Sequence, residues 1–283
     1  MSNYQFTRTN PGKTGRSMRK MIGILAFALP TILLVLSLNS NVGIQTSISH
    51  FNFTNAREIF TGILAAVGLM MLCYKTQPDF YDYIGSLKYK TEQRLAIAAG
   101  IFALGVALFP TNPIGYYADN IDIQQKMNPH FVKDVDQFTF NAIFDYTIGN
   151  LTPGYNKVNA IIHTGSATIL FSILAVFCLY IFHTPKKVLK NLDDPIKKYL
   201  ETNNLKYMVS SVLIISGILL AFLGNLLLDT NNNLYYTTLI GEVIALYAFG
   251  FSWFVKGREE EFLDSYEIKQ KFSTHKKEEA EYA

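Results

Sequence analysis

Ionisable and strongly polar side chains are scarce inside the apolar stretches of this chain, and the few present are the residues with which it could do chemistry. His163 and Glu242 each interrupt a long apolar run, and Ser166 follows the histidine by about one turn. Asn225 lies near the end of another run, and Arg57 with Glu58 opens a third. Just upstream, Ser47 and Ser49 belong to a polar, aromatic loop that passes without a break into that run. A charge held in hydrocarbon costs roughly 3 kcal/mol on insertion scales, so each such residue is by default a functional candidate.

The chemistry on offer is proton transfer and recognition of a polar headgroup. His163 would serve as general base and Glu242 as the carboxylate that orients it, which makes this pair the catalytic candidates. Arg57, Glu58, Ser47, Ser49, His163, Ser166, Asn225 and Glu242 together form the candidate ligand-binding set. A zinc hydrolase would have to draw on His50, His130 and His163 with a carboxylate, yet the sequence has no His-x-x-x-His or His-Glu-x-x-His spacing. It has no Gly-rich phosphate loop, and no Lys midway along the last apolar run to carry a Schiff base. Neither a metal nor a cofactor is expected. The same residues also have a purely structural use: Arg57 could pair with Glu242, while His163 and Asn225 bond to backbone.

The elements that must position them follow from composition. The chain is 283 residues long, 49% apolar and 17% charged, against about 25% charged in a soluble domain. Roughly 20 apolar residues cross a bilayer. The runs that qualify are Met21–Leu38, Ile59–Tyr74, Leu95–Phe109, Val158–Phe182, Tyr207–Leu228 and Tyr235–Val255, the second and third being short and needing Ala56–Glu58 and Pro110–Thr111 to complete a span. The expected fold is all-α, a polytopic membrane protein with a bundle of six transmembrane helices. Residues 1–20 read as a basic N-terminus, broken at Asn10-Pro11-Gly12 and without helix before Ser17. Residues 21–257 read as the membrane domain, with an outside insert at 111–157, and 258–283 as a charged, solvated tail. The first run exceeds the roughly 7–15 residues of a secretory core, so it reads as a retained anchor.

With the N-terminus inside, the outer side keeps only Arg57, Lys126, Lys133 and Lys157 of the 25 Lys and Arg, so both termini are expected in the cytoplasm. The net charge of +3 reflects this bias, and no nucleic-acid partner is implied. Cys73 and Cys178 are expected as free thiols. Thr54 or Asn55 is the expected cap of the second helix, and Ala99, Ala103 and Ala107 would let the third pack closely at the centre. Phe140, Ile143, Phe144 and Ile148 suggest a short amphipathic piece in the insert, and Asn150-Leu151-Thr152 is a glycosylation triplet.

With that orientation, Arg57, His163, Asn225 and Glu242 all fall in the outer half of the bilayer, and the inner halves show little that compares. Glu242 would lie roughly 10 Å below the outer surface. A pocket wet above and apolar below suits an amphiphile, and a membrane lipid is the expected partner. A lipid-modifying hydrolase or transferase using His163 and Glu242 is the competing reading. A structural or sensing protein, pairing with another membrane protein or a second copy of itself, is the third.

Four pieces carry a family resemblance. They are Ser47-Ile48-Ser49 with Arg57-Glu58-Ile59-Phe60, and Phe102–Pro110 closing the third helix. The others are Ile162-His163-x-x-Ser166-Ala167, and Gly241-Glu242 with Ala248-Phe249-Gly250-Phe251-Ser252-Trp253. In order and placement they resemble the six-span Frag/DRAM/Sfk-type membrane proteins and related prokaryotic membrane families. The resemblance implies an outward-facing pocket and, by its eukaryotic members, a link to lipid-anchor remodelling or membrane trafficking. The insert at 112–156 departs from it.

Overall fold

The structure is a computed structural model and describes residues 11–38, 42–75, 86–109, 111, 157–190, 192, 194–227 and 236–281. The insert at 112–156, with His130, its amphipathic piece and its glycosylation triplet, lies outside the described residues, as does the side chain of Asn225.

The described residues are helical with short connections: α1 Pro11–Leu36, a 3₁₀ segment Ile48–Phe53, α2 Arg57–Leu72 and α3 Ser86–Leu108. Next comes α4 Lys157–Val176, which runs on through a π-helical turn, Phe177–Ile181. A single turn Lys186–Leu189 leads to α5 Asp194–Leu227 and α6 Thr237–Glu281. The fold is an all-α, multi-pass membrane bundle. Five of its helices are long and apolar enough to cross a bilayer, where six were expected. The sixth, α2, has 16 residues, about 24 Å at 1.5 Å each, short of a hydrocarbon core of about 30 Å.

Several boundaries depart from expectation for simple reasons. Pro11 starts α1 rather than breaking it, since proline's missing N–H is no loss at a first helical position. Thr54 does not cap α2 directly: Ala56 is the cap residue, and the Thr54 hydroxyl instead accepts from Ala56 N–H at 3.1 Å. The basic stretch 194–206 is the first part of α5. Cys73 and Cys178 are free thiols, as expected.

Each helix packs on its neighbours in the chain, and α6 closes on α1, so the six form a ring in sequence order. Glycines set how tight the ring is. At the α1–α6 crossing a Cβ on Gly23 would sit 2.7 Å from the Gly250 carbonyl oxygen, and one on Gly250 would sit 2.8 Å from that of Gly23. Gly68 and Gly100 face each other between α2 and α3, and Gly217 and Gly241 between α5 and α6. Small residues of this kind replace the hydrophobic drive that helices lack in lipid. The alanine stripe Ala96, Ala99, Ala103 and Ala107 of α3 is fully buried. The most buried of the five is α6, with 61% of its apolar stretch inside the bundle against 33–39% for the other four. Leu29, Leu64, Leu174 and Phe249 fill the middle of the ring, while Val35, Leu219 and Phe222 are exposed on its outside, where lipid would lie. Polar groups collect at the two ends, called here the loop end and the terminal end.

Candidate functional site at the loop end

The loop after α1 turns back into the mouth of the ring. Gly43 takes a positive φ of 65° to start that return, a conformation glycine adopts at no steric cost. Gln45, Thr46, Ser47, Ser49, His50, Asn52 and Thr54 are then all buried. A polar loop in that position must satisfy its own hydrogen bonds. Gln45 Nε2 donates to Val42 O at 2.8 Å. Thr46 Oγ1 and His50 Nδ1 are bonded at 2.6 Å. Leu239 N–H, in the first turn of α6, donates to Thr46 O at 2.9 Å, which straps the loop to a helix start whose amides lack partners within the helix.

Ser47 caps the 3₁₀ segment by accepting Ser49 N–H at 3.1 Å. Its hydroxyl faces both carboxylate oxygens of Glu242, at 2.9 and 2.8 Å. Ile48 N–H donates to Glu242 Oε2 at 2.6 Å. The carboxylate thus sits at the head of the 3₁₀ segment, held by its amide and its capping hydroxyl. On the other side of the loop His163 Nδ1 lies 2.6 Å from Phe109 O, and Nε2 lies 2.8 Å from Ser49 Oγ.

His163 and Glu242 therefore meet the same short segment, one through Ser49 and the other through Ser47 and Ile48. They do not orient each other: the carbonyl at the end of α3 holds the imidazole, where Glu242 was expected to. Nor is Arg57 the partner that Glu242 shows. Arg57 is half-buried at the head of α2, and Glu58 beside it is exposed to the outside of the ring. Ser166 is buried but belongs to the α3–α4 crossing, where a Cβ on Gly105 would run into its hydroxyl at 2.5 Å. Of the residues expected to converge, His163 and Glu242 share a network, and Asn225 has no described side chain to compare.

Two atoms in this region have no partner. Asn52 is fully buried with Nδ2 unbonded, and Asn159 is 4% exposed with Oδ1 unbonded. Asn52 lies three residues beyond Ser49 in the 3₁₀ segment, so the two share an edge. Asn159 lies four residues before His163 on α4, so those two share a face. Neither asparagine was singled out from the sequence, where each looks like ordinary loop or helix-start polarity. Among the described residues no three His, Cys, Asp or Glu side chains gather as metal ligands would.

No family model, curated protein or solved structure matches this chain.

The terminal end holds what the sequence reading missed. Arg19 of α1 is 2% exposed and Glu92 of α3 is fully buried, with Arg19 Nη2 at 2.5 Å from Glu92 Oε1. Arg19 Nε also donates to the Tyr74 hydroxyl and Nη1 pairs with Glu260, while Tyr74 donates to Glu92 at 2.7 Å. Alongside, Glu259 is fully buried and takes Lys256 at 2.5 Å, Asn203 at 2.9 Å and the Tyr207 hydroxyl at 2.9 Å. Trp253 is boxed by Tyr74, Phe177, Phe182 and Phe249 with ring centroids 5.2–5.7 Å away. Residues after Gly257 are thus not all a solvated tail, and this end of the bundle is as polar as the other. The signal was in the helical phase. Glu92 falls on the stripe that continues through Ala96, Ala99 and Ala103, and a side chain on that stripe faces inward.

Proposed function

We propose that this integral membrane protein binds the polar head of a membrane amphiphile at its loop end, with both termini on the cytoplasmic side and the loop end facing outward. The observation that carries the reading is the pair of unpartnered buried amide atoms, a donor on Asn52 and an acceptor on Asn159. Leaving such an atom unbonded costs about 1–3 kcal/mol each, and a headgroup carrying both a hydroxyl and a carbonyl or phosphoryl oxygen would satisfy the two together. The apolar middle of the ring and its exposed apolar flank offer acyl chains a matching surface. The charge asymmetry of the loops supports the orientation. The resemblance to Frag/DRAM/Sfk-type proteins stands with this proposal, since three of its four pieces (Ser47–Ser49, Ile162-His163 and Gly241-Glu242) supply residues of one hydrogen-bonded network.

Mass spectrometry of small molecules that co-purify with the detergent-solubilised chain tests the reading. A lipid held by the wild type and shed by the Asn52→Ala/Asn159→Ala double variant is the expected result. Equal lipid content in both proteins, or none in the wild type, would sink it.

A further inference from the structure

We propose that Ser49 is a nucleophile with His163 as its general base, and that the protein takes an acyl group from an ester-bearing amphiphile onto the Ser49 hydroxyl. The proposal rests on the amphiphile site argued above and names its substrate class.

The proton positions follow from the partners. A carbonyl oxygen only accepts, so the contact with Phe109 O places the proton of neutral His163 on Nδ1. Nε2 then carries the lone pair, and Ser49 Oγ, 2.8 Å away, must donate to it. A hydroxyl bonded to a base whose other nitrogen is held by a third group is the arrangement that activates a serine. Here the third group is a backbone carbonyl. It fixes tautomer and ring orientation, but stabilises an imidazolium less than a carboxylate would, so turnover is expected to be slow.

The same segment also carries a donor that could serve an oxyanion. The backbone N–H of Ser49 is already given to Ser47 Oγ. The unpartnered donor on the same edge of the 3₁₀ segment is Asn52 Nδ2. A preorganised side-chain amide is a known type of donor for the developing charge.

The step balances with groups on this chain and the ester alone. Ser49 Oγ bonds to the ester carbonyl carbon as its proton passes to His163 Nε2, and the carbonyl oxygen, now negative, faces Asn52. Collapse breaks the bond from that carbon to the leaving alcohol oxygen, which takes the proton from Nε2. Acyl-Ser49 and a free alcohol result. Water, or the hydroxyl of a second lipid, then repeats the exchange and restores Ser49. Ser49 is 8% exposed and His163 2%, so the 3₁₀ segment must lift for an ester to enter.

The test uses the full chain in nanodiscs, treated with a fluorophosphonate probe and mapped by peptide mass spectrometry. The adduct is expected on Ser49. It should be lost in Ser49→Ala, and formed about tenfold or more slowly in His163→Gln and Asn52→Ala, one removing the base and the other the oxyanion donor. Ser172→Ala, whose hydroxyl bonds only its own helix at Thr168 O, should label like the wild type. An adduct elsewhere, no adduct on folded protein, or unchanged labelling in His163→Gln overturns the proposal. If Ser49→Ala fails to fold, Ser49→Cys in a Cys73→Ser background carries the same test. Alkylation of the introduced thiol must then be faster with His163 than with His163→Gln. Lipid content measured on the same samples separates the two claims. Bound lipid without an adduct overturns acyl transfer and leaves binding intact, whereas an adduct without bound lipid does the reverse. Neither result overturns both.

Discussion

The two ends of the ring solve the same problem, buried polarity in a membrane bundle, in different ways. At the terminal end the groups are charged and answer one another across α1, α3 and α6, with aromatic rings walling them in. What stays open there is Glu92 Oε2 and the Trp253 indole N–H. One is the spare oxygen of a carboxylate already bonded at the other. At the loop end a backbone segment does the pairing and holds the Glu242 carboxylate, and the open atoms among the described residues are the amides of Asn52 and Asn159. One end pairs charge with charge inside the bundle. The other, on the function proposed above, is completed by a bound headgroup.

That contrast predicts where single substitutions hurt most. Arg19→Met strips the counter-charge from Glu92, which is fully buried. Breaking a buried ion pair from one side costs about 3–5 kcal/mol. The double change Arg19→Met/Glu92→Leu should recover much of that loss, since paired apolar replacements of such bridges are often near neutral. Denaturant or thermal unfolding in a fixed detergent measures both. If Arg19→Met alone left stability unchanged, the terminal end would not be the closed ionic clamp described here.

Helix phase explains what could and could not be seen in advance. Apolar runs mark the helices because nothing else buries twenty residues without charge, and His163 and Glu242 stood out because they interrupt such runs. Arg19, Glu92 and Glu259 sit where a run ends, so they read as ordinary flanks, and only the ring brings them inward. Asn52 and Asn159 carry no pattern at all; their meaning lies in what fails to bond them. The position of α2 was misjudged for a related reason: the helix starts at Arg57, before the apolar run, while Cys73 and Tyr74 continue the run but lie beyond its last helical turn.

The glycine crossings should matter at both ends alike. Gly250→Val, near the terminal end, and Gly241→Val, beside Glu242, each place side-chain carbon against facing backbone that must shift. Overpacking of this kind costs about 1–3 kcal/mol. Unfolding measurements should rank both below Arg19→Met. The Gly241 change should also loosen the loop, since it moves α6 where Glu242 holds Ser47 and Ile48.

Glu242→Gln keeps the shape of that contact and removes its charge. A hydrogen bond to a charged group contributes about 1.5–3 kcal/mol, against about 0.5–1.5 for a neutral one, so a loss of about 1 kcal/mol is expected. The amide can still accept Ile48 N–H through its oxygen. Proteolysis within the 42–56 loop should quicken in proportion. Unchanged stability together with unchanged proteolysis would mean that Glu242 does not hold the loop.

The smallest effect is the sharpest, because its sign decides. Asn203 is fully bonded at the terminal end, donating to Glu259 at 2.9 Å and accepting from Lys206 at 3.0 Å. Asn203→Ala should therefore cost about 1.5–3 kcal/mol, the worth of a hydrogen bond to a charged group, with Glu259 still held by Lys256 and Tyr207. Asn159→Ala at the loop end removes an acceptor that nothing among the described residues uses. In protein freed of lipid the change should leave stability unchanged or raise it, because the cost of about 1–3 kcal/mol for that unbonded buried acceptor goes with it. In lipid-loaded protein the same change should lower the melting temperature, because a ligand stabilises only the state that binds it. Equal losses for Asn159→Ala with and without lipid would make that residue structural, and the two ends would then differ in chemistry but not in purpose.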